Sequence, residues 1–398
     1  MENFRTLDHV DVKGKRVLLR VDLNVPVENG VVTDATRIER AAASITELAD
    51  KGGKVILLSH FGRPKGKRDP KESLKPVAAE VARIVKRPVK FVEDCVGEKA
   101  EQAVAAMHAG DIVCLENTRF HAGEEKNDPA FVAQLARLGD LWVNDAFSSA
   151  HRAHASTEGL GHVLPAYAGR SLQAELDAFA KVLDRPARPL AAIVGGAKIS
   201  SKLDMLSHLL PKVDTLIIGG AMANTFLLAQ GKPIGKSLVE RDLVETAGRI
   251  MNEAAQAKRE IVLPVDVVVA EKLAPNAPSR TVDIEKVGPK DMILDIGPRS
   301  IDYACSVLAR AKTLVWNGPF GAFETEPFDI GTDEVAEAAA ELTAAGKLIS
   351  VAGGGDTVAA LHGAGVADRL TYVSTAGGAF LEWLEGKPLP GVEVLRVR

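Results

Sequence analysis

The chain is poor in cysteine, has no long apolar run and carries no strong excess of either charge. Cys95, Cys114 and Cys305 are odd in number, far apart and without a CxxC pair. That spacing argues against a disulfide framework or a cysteine-built zinc site and for buried thiols in a reducing compartment. No stretch reaches the roughly 18 apolar residues that a membrane-spanning helix needs, and MENFRTLDHVDVKGK at the N-terminus has no apolar signal core. A soluble, cytoplasmic protein is expected. A net charge of −4 gives no support to nucleic-acid or anionic-membrane partners. GxGxxG is absent, against a dinucleotide fold of the usual kind, and so are GxxxxGK[ST] and HExxH. GKPIGKS at 231–237 misses the second pattern by one residue and follows a helical stretch, so it reads as chance.

What is present is alternation. A chain of 398 residues implies two or three domains. In the first half, apolar runs at 16–21, 54–59, 89–92, 111–115 and 141–145 are separated by helical patterns at 34–48, 70–86, 97–108 and 128–138. In 34–48, Ile38, Ala41, Ile45 and Leu48 share one helical face. A helix is expected at 171–183, ended by the two prolines of Arg185-Pro186-Ala187-Arg188-Pro189. Strands resume at 190–194, 215–218, 261–269, 292–296, 313–316, 347–351 and 370–373. Apolar strands alternating with amphipathic helices predict an α/β fold: two doubly wound, Rossmann-like parallel-sheet domains. The expected divisions are 1–170, an interdomain helix and hinge at 171–189, and 190–386. The tail at 387–398 is expected to pack back on the first domain.

Ligands of such sheets sit beyond the carboxyl ends of the strands. In the first half those ends are polar and basic. They offer Asp22 and Asn24, then His60 and Arg63, then Arg119, then Arg152, with Arg37 opening the first long helix. Singly, each arginine reads as a surface residue or an ion-pair partner. At matching topological positions they suit a small, multiply anionic substrate, because the guanidinium fork binds carboxylate and phosphate bidentately. Asp22 and Asn24 could take a hydroxyl. The run Arg63, Lys65, Lys67, Arg68, Lys71 reads as solvated charge.

In the second half the ends are glycine-rich. Gly195-Gly196 leads to Lys198 and Lys202, whose i, i+4 spacing places both on one face if the turn is helical. Gly219-Gly220, Asn317-Gly318 with Glu324 beyond, and Gly377-Gly378 follow other strands. KLISVAGGGDTVAAL at 347–361 reads as strand, Gly353-Gly354-Gly355 loop and helix start, a place for phosphate. Asp356 could cap that helix or take up Mg²⁺ beside bound phosphates. For any one glycine pair, close helix–strand packing is the plainer reading.

Together RVDLNVP (20–26), LSHFGRPKG (58–66), LENTRF (115–120), GGAKISSK (195–202), WNGPFGAFE (316–324) and VAGGGDT (351–357) resemble the phosphoglycerate kinase family, in the same order over essentially the whole chain. The resemblance implies reversible phosphoryl transfer from 1,3-bisphosphoglycerate to Mg-ADP, giving 3-phosphoglycerate and Mg-ATP. The front domain would bind the phosphoglycerate and the back domain the Mg-nucleotide. It implies Asp22, Asn24, Arg37, His60, Arg63, Arg119 and Arg152 for the acid. For the nucleotide it implies Gly195, Lys198, Lys202, Gly219, Gly220, Asn317, Glu324 (on the ribose), Gly353, Gly354, Gly355, Asp356 (also on Mg²⁺) and Thr357. Arg37, Lys198, Gly377 and Gly378 would flank the migrating group. Ala221 and Ala376 stand where the family often has glycine, and Ala221 leaves nucleotide preference open. The expected partners are small molecules alone, with no nucleic acid and no membrane, for a monomer.

An acyl phosphate has a good leaving group and the attacking ADP oxygen is already ionised, so no general base is required; positioning and charge stabilisation suffice. A dehydrogenase or ligase on a similar fold and a non-enzymatic two-lobed anion binder are the rival readings. The missing GxGxxG counts against the first, and the paired lysines of a second phosphate site against the other.

Overall fold

The computed structural model describes residues 4–397. The chain divides into two compact units, one running to Asp177 and resuming at Pro388, the other Ala178–Lys387.

The first unit is built on β1 (Arg16–Arg20), a short antiparallel hairpin of β2 (Val27–Glu28) and β3 (Val31–Val32), then β4 (Lys54–Leu58), β5 (Val89–Val92), β6 (Ile112–Leu115), β7 (Leu141–Asn144) and β8 (Ala166–Ala168). Six of these form one parallel sheet in the order β5-β6-β4-β1-β7-β8. Val17, Leu18 and Leu19 are fully buried, as expected for a strand covered on both faces. The helix Thr36–Asp50 buries Ile38, Ala41, Ile45 and Leu48 in a core with Val17, Leu19, Val55 and Leu57. Each such large aliphatic side chain contributes roughly 1.5–3 kcal/mol.

Two local departures from the sequence pattern have physical causes. The stretch 70–86 is a 3₁₀ turn, Pro70–Glu72, followed by the helix Lys75–Val85. Glu116 holds the junction by accepting from Ser73 Oγ (2.6 Å) and Leu74 N (2.8 Å), and Pro76 suits the first helical turn, where its missing N–H costs nothing. The strand Ala166–Ala168 was not expected, since Ala-Tyr-Ala after Pro165 is too short to read as an apolar run.

The second unit has β9 (Leu190–Val194), β10 (Thr215–Ile218), β11 (Glu260–Val262), β12 (Asp266–Ala270), β13 (Ser279–Asp283), β14 (Met292–Ile296), β15 (Thr313–Asn317), β16 (Ile349–Gly353) and β17 (Tyr372–Ser374). Its parallel sheet runs β11-β10-β9-β15-β16-β17. The stretch 261–269 is two strands in two sheets, parted where Pro264 interrupts the ladder. β12 belongs to a separate antiparallel sheet of order β13-β12-β14, which also claims 292–296. The polar β13 gave no apolar signal.

The helix expected over 171–183 runs as Arg170–Phe179 and continues into a π-helical turn, Ala180–Asp184. Asp145 Oδ1 accepts from Ser171 N (2.8 Å) and Leu172 N (3.0 Å) at the helix start. Arg170 pairs with Asp8 and Glu47, each at 2.7 Å. The tail is stitched into the first unit: Asn144 Nδ2 donates to the Gly391 carbonyl (2.9 Å), Gly391 N to the Ala150 carbonyl (2.8 Å), and Phe4 bridges Arg396. Among the described residues no helix is long and apolar enough to cross a membrane.

Candidate functional site

In the first unit the polar residues follow adjacent strands β6, β4, β1 and β7 at their carboxyl ends. Asp22, almost fully buried, accepts from Asn24 N (3.0 Å) and Ser148 Oγ (2.5 Å) and pairs with Arg37 Nη1 at 3.1 Å. Arg37 also donates to the Asn24 carbonyl (2.9 Å), and Asn24 Oδ1 accepts from Gly62 N (3.0 Å). Arg119 donates to the Gly62 carbonyl (2.9 Å). Asn117 fixes this corner, donating to the carbonyls of Phe61 (2.7 Å) and Glu72 (2.9 Å). Arg152 and Arg37 are half-buried, and Arg63 is exposed.

The deepest cation, Arg20, was missed in the sequence because it stands inside the strand pattern. An arginine ending an otherwise apolar strand was the available signal. Only 1% exposed, it donates to Ser156 Oγ (2.9 Å) and to His60 Nδ1 (2.9 Å). A guanidinium has no acceptor, so His60 Nδ1 accepts and the ring proton lies on Nε2. Burial, then the charges of Arg20, Arg119, Arg152 and His154, hold His60 well below the usual histidine range. Burial, with Arg119 the largest neighbouring charge, brings His154 down to about 4. Burial also lowers Arg119, and lowers Arg20 to about 10 despite the opposing carboxylates of Glu124 and Asp22. Basic groups buried together in this way mark a place for an anion.

In the second unit the strands β10, β9, β15, β16 and β17 lie side by side, and all the predicted glycine-rich segments follow their carboxyl ends. Several glycines are there for backbone packing. A Cβ on Gly195 would stand 2.1 Å from the Pro319 carbonyl, one on Gly219 2.8 Å from the Phe320 ring, and one on Gly353 2.6 Å from Phe380. Asn317, buried, donates to the Gly353 carbonyl (2.8 Å) and accepts from Lys202 Nζ. Thr357 Oγ1 accepts from Gly318 N (2.7 Å). Gly355 by contrast faces open space. Gly377, at φ +44°, is the N-cap of the helix Gly378–Leu384.

Lys198 and Lys202 do not share a helical face: both precede the helix Leu203–Leu209, and Lys202 is its N-cap. Lys198 is exposed, whereas burial lowers the Lys202 ammonium against the opposing pull of Asp356. Nor does Asp356 cap its helix. Gly354, at φ +98°, is the N-cap and no side chain caps there. Asp356 is exposed in the first turn, a hard oxygen donor suited to a divalent cation that keeps most of its waters.

Beside these strand ends lies a mostly apolar cavity of about 360 Å³, lined by Gly196, Gly220, Ala221, Asn224, Leu238, Met292, Leu294, Asp295, Phe320, Glu324 and Asp356, among others. Of the predicted residues, Gly220, Glu324 and Asp356 line it. Asn224 and Asp295 were not anticipated. Elsewhere Asp94, Cys95 and His121 bring one donor each within 4.8 Å. There Asp94 Oδ1 already serves His121 Nε2 (2.7 Å) and Cys95 N (2.8 Å), and burial keeps Cys95 a thiol.

Comparison with known proteins agrees on one family. A sequence model of phosphoglycerate kinase matches residues 7–387. The chain is 67% identical over 395 residues to a phosphoglycerate kinase of Bradyrhizobium diazoefficiens, covering 99% of each. It is 66% identical over 397 residues to that of Rhodopseudomonas palustris, covering 100% of each. The solved phosphoglycerate kinase of Coxiella burnetii superposes with a TM-score of 0.92 at 41% identity over 98% of both chains. With arginines gathered beyond the strands of one sheet, glycine-ended strands on the other and relatives matched end to end, the chain belongs to the phosphoglycerate kinase family.

Proposed function

We propose that the first unit binds 3-phosphoglycerate or 1,3-bisphosphoglycerate and that the second binds ADP or ATP, the enzyme moving a phosphoryl group reversibly between them. The observation that carries this reading is the crowd of basic side chains beyond β6, β4, β1 and β7: burial lowers Arg20, Arg119 and His154, and the charge of Arg152 bears on all three. An anionic acid would relieve that repulsion. Arg63, Arg119 and Arg152 bind its phosphate and carboxylate, His60 offers a neutral N–H, and Asp22 and Asn24 take the hydroxyl.

On the second unit Glu324 takes the ribose hydroxyls, while Gly353, Gly354, Gly355 and Thr357 form the loop facing the phosphates. Lys198 and Lys202 add positive charge, and Gly195, Gly219 and Gly220 let the neighbouring strand-end loops approach closely. Asp356 holds Mg²⁺ together with the nucleotide phosphates. When bound, that metal would supply charge neutralisation to the phosphates. Arg37 from one unit and Lys198, Gly377 and Gly378 from the other stabilise the migrating group's equatorial oxygens. Since donor and acceptor belong to different units, transfer requires the units to close, with hydrolysis suppressed by exclusion of water. The chain works as a cytoplasmic monomer on small molecules alone.

A coupled assay that follows ATP consumption with 3-phosphoglycerate tests the reading. Turnover requiring both substrates and Mg²⁺ is expected, with the 3-phosphoglycerate KM raised by Arg119→Ala and the ATP KM unchanged. Nucleotide consumption indifferent to 3-phosphoglycerate would overturn it.

A further inference from the structure

Asp295 lies on β14, in the antiparallel sheet, and not at a parallel strand end. It is 2% exposed and lines the cavity that also contains Glu324. Its carboxylate touches both ends of one loop. At the far end Oδ2 accepts from Gly331 N (2.7 Å), in the first turn of the helix Ile330–Ala344. At the near end Gly321 lies so close that a Cβ there would stand 2.4 Å from Oδ1. Gly331 is a glycine for the same reason, its Cβ position also being 2.4 Å from Oδ1. The remaining bond, from Ile296 N to Oδ1 (2.8 Å), fixes the carboxylate on its own strand. Next to it, Ala322 N donates to the Leu294 carbonyl (2.8 Å). The segment clasped in this way, 321–331, contains Glu324.

We propose that Asp295 is a positioning residue for nucleotide binding: by clasping both ends of the 321–331 loop it sets where Glu324 stands over the cavity. The proposal rests on the reading of that cavity as the nucleotide site. Burial raises the Asp295 carboxyl to about 7, with Asp329 and Asp333 adding repulsion, so an ionisable group stands where a neutral residue would pack at less cost. Both oxygens are used as acceptors by backbone N–H groups, and a helix N-terminus favours the anion. An amide cannot replace it, because its NH₂ would face one of those donors.

The test is a double-mutant cycle with D295N and E324Q, measuring KM for ATP and for 3-phosphoglycerate. D295N is expected to raise the ATP KM by about tenfold and leave the 3-phosphoglycerate KM unchanged, since its NH₂ must oppose either Gly331 N, releasing the loop, or Ile296 N, unseating the side chain that holds the loop. In the E324Q background the D295N effect should shrink to within about twofold, because the residue acts through Glu324. Effects that multiply independently, or equal changes in both KM values, would overturn the proposal. If E324Q alone leaves the ATP KM unchanged, the reading of Glu324 fails instead. Should D295N not fold, Gly321→Ala displaces the loop from the same carboxylate and should give the same selective rise in the ATP KM. A normal ATP KM for that folded variant would count equally against the clasp.

Discussion

Replacing Asp145 by asparagine should make the protein more stable the higher the pH. Asp145 is buried at the start of the helix Arg170–Phe179, where Oδ1 accepts two backbone N–H bonds and Ser44 stands beside it. Burial outweighs those bonds and lifts its carboxyl from 3.8 to about 7. The folded chain therefore holds this proton more tightly than the unfolded one. Below about pH 4 the group costs nothing; through the interval up to 7 its penalty grows by about 1.4 kcal/mol per pH unit, reaching roughly 4 kcal/mol, and is constant above. Asparagine keeps the oxygen for Ser171 and Leu172 and removes the charge. Urea denaturation of both proteins at pH 5, 6, 7 and 8, followed by circular dichroism, should show the variant gaining on the wild type by about 3 kcal/mol over that range. The titrations of His60 and His154 are common to both proteins and cancel in the difference. Parallel stability curves would refute the reasoning, since they would mean that Asp145 stays ionised throughout.

Arg37→Ala should lower kcat by about three orders of magnitude while leaving ATP affinity unchanged, as for a group acting on the transferring phosphoryl; steady-state kinetics and calorimetry check this. Asp356→Asn should weaken Mg-nucleotide binding about tenfold or more and leave 3-phosphoglycerate binding untouched, measured by separate titrations. Gly195→Ala should destabilise the second unit by about 1–3 kcal/mol, its Cβ meeting the Pro319 carbonyl, whereas Gly355→Ala, in open space, should keep or slightly raise the melting temperature and instead raise the ATP KM.

Much of this architecture was legible because apolar strands and amphipathic helices announce themselves by period, and because functional residues of such sheets gather after the strands. Ile38, Ala41, Ile45 and Leu48 fall on the buried face that their spacing requires. What was hidden is what period cannot carry. Met292–Ile296 looks like any buried strand, and nothing local says that it pairs antiparallel with Asp266–Ala270. Ser279–Asp283 is polar and exposed, a strand only because a partner supplies its ladder. Arg20 sits inside the apolar run 16–21, so nothing in the pattern singles out its charge. The i, i+4 spacing of Lys198 and Lys202 suggested a helix that the chain does not begin until Leu203. Glycine pairs carried two meanings at once, and only the Cβ distances separate Gly195, held against backbone, from Gly355, open to a ligand.

The return of the chain from Lys387 to Pro388 makes the second unit an insertion in the first. Its residues are contiguous, so it can complete its own contacts as soon as it leaves the ribosome. The first unit must wait for Gly391 and Leu395, which are translated after the whole second unit and are buried, Gly391 against Asn144 and Ala150. Removing residues 388–397 should therefore damage the first unit and spare the second. Phe4 adds a second late tie, bridging Arg396, whose guanidinium lies 5.1 Å over the Phe4 ring.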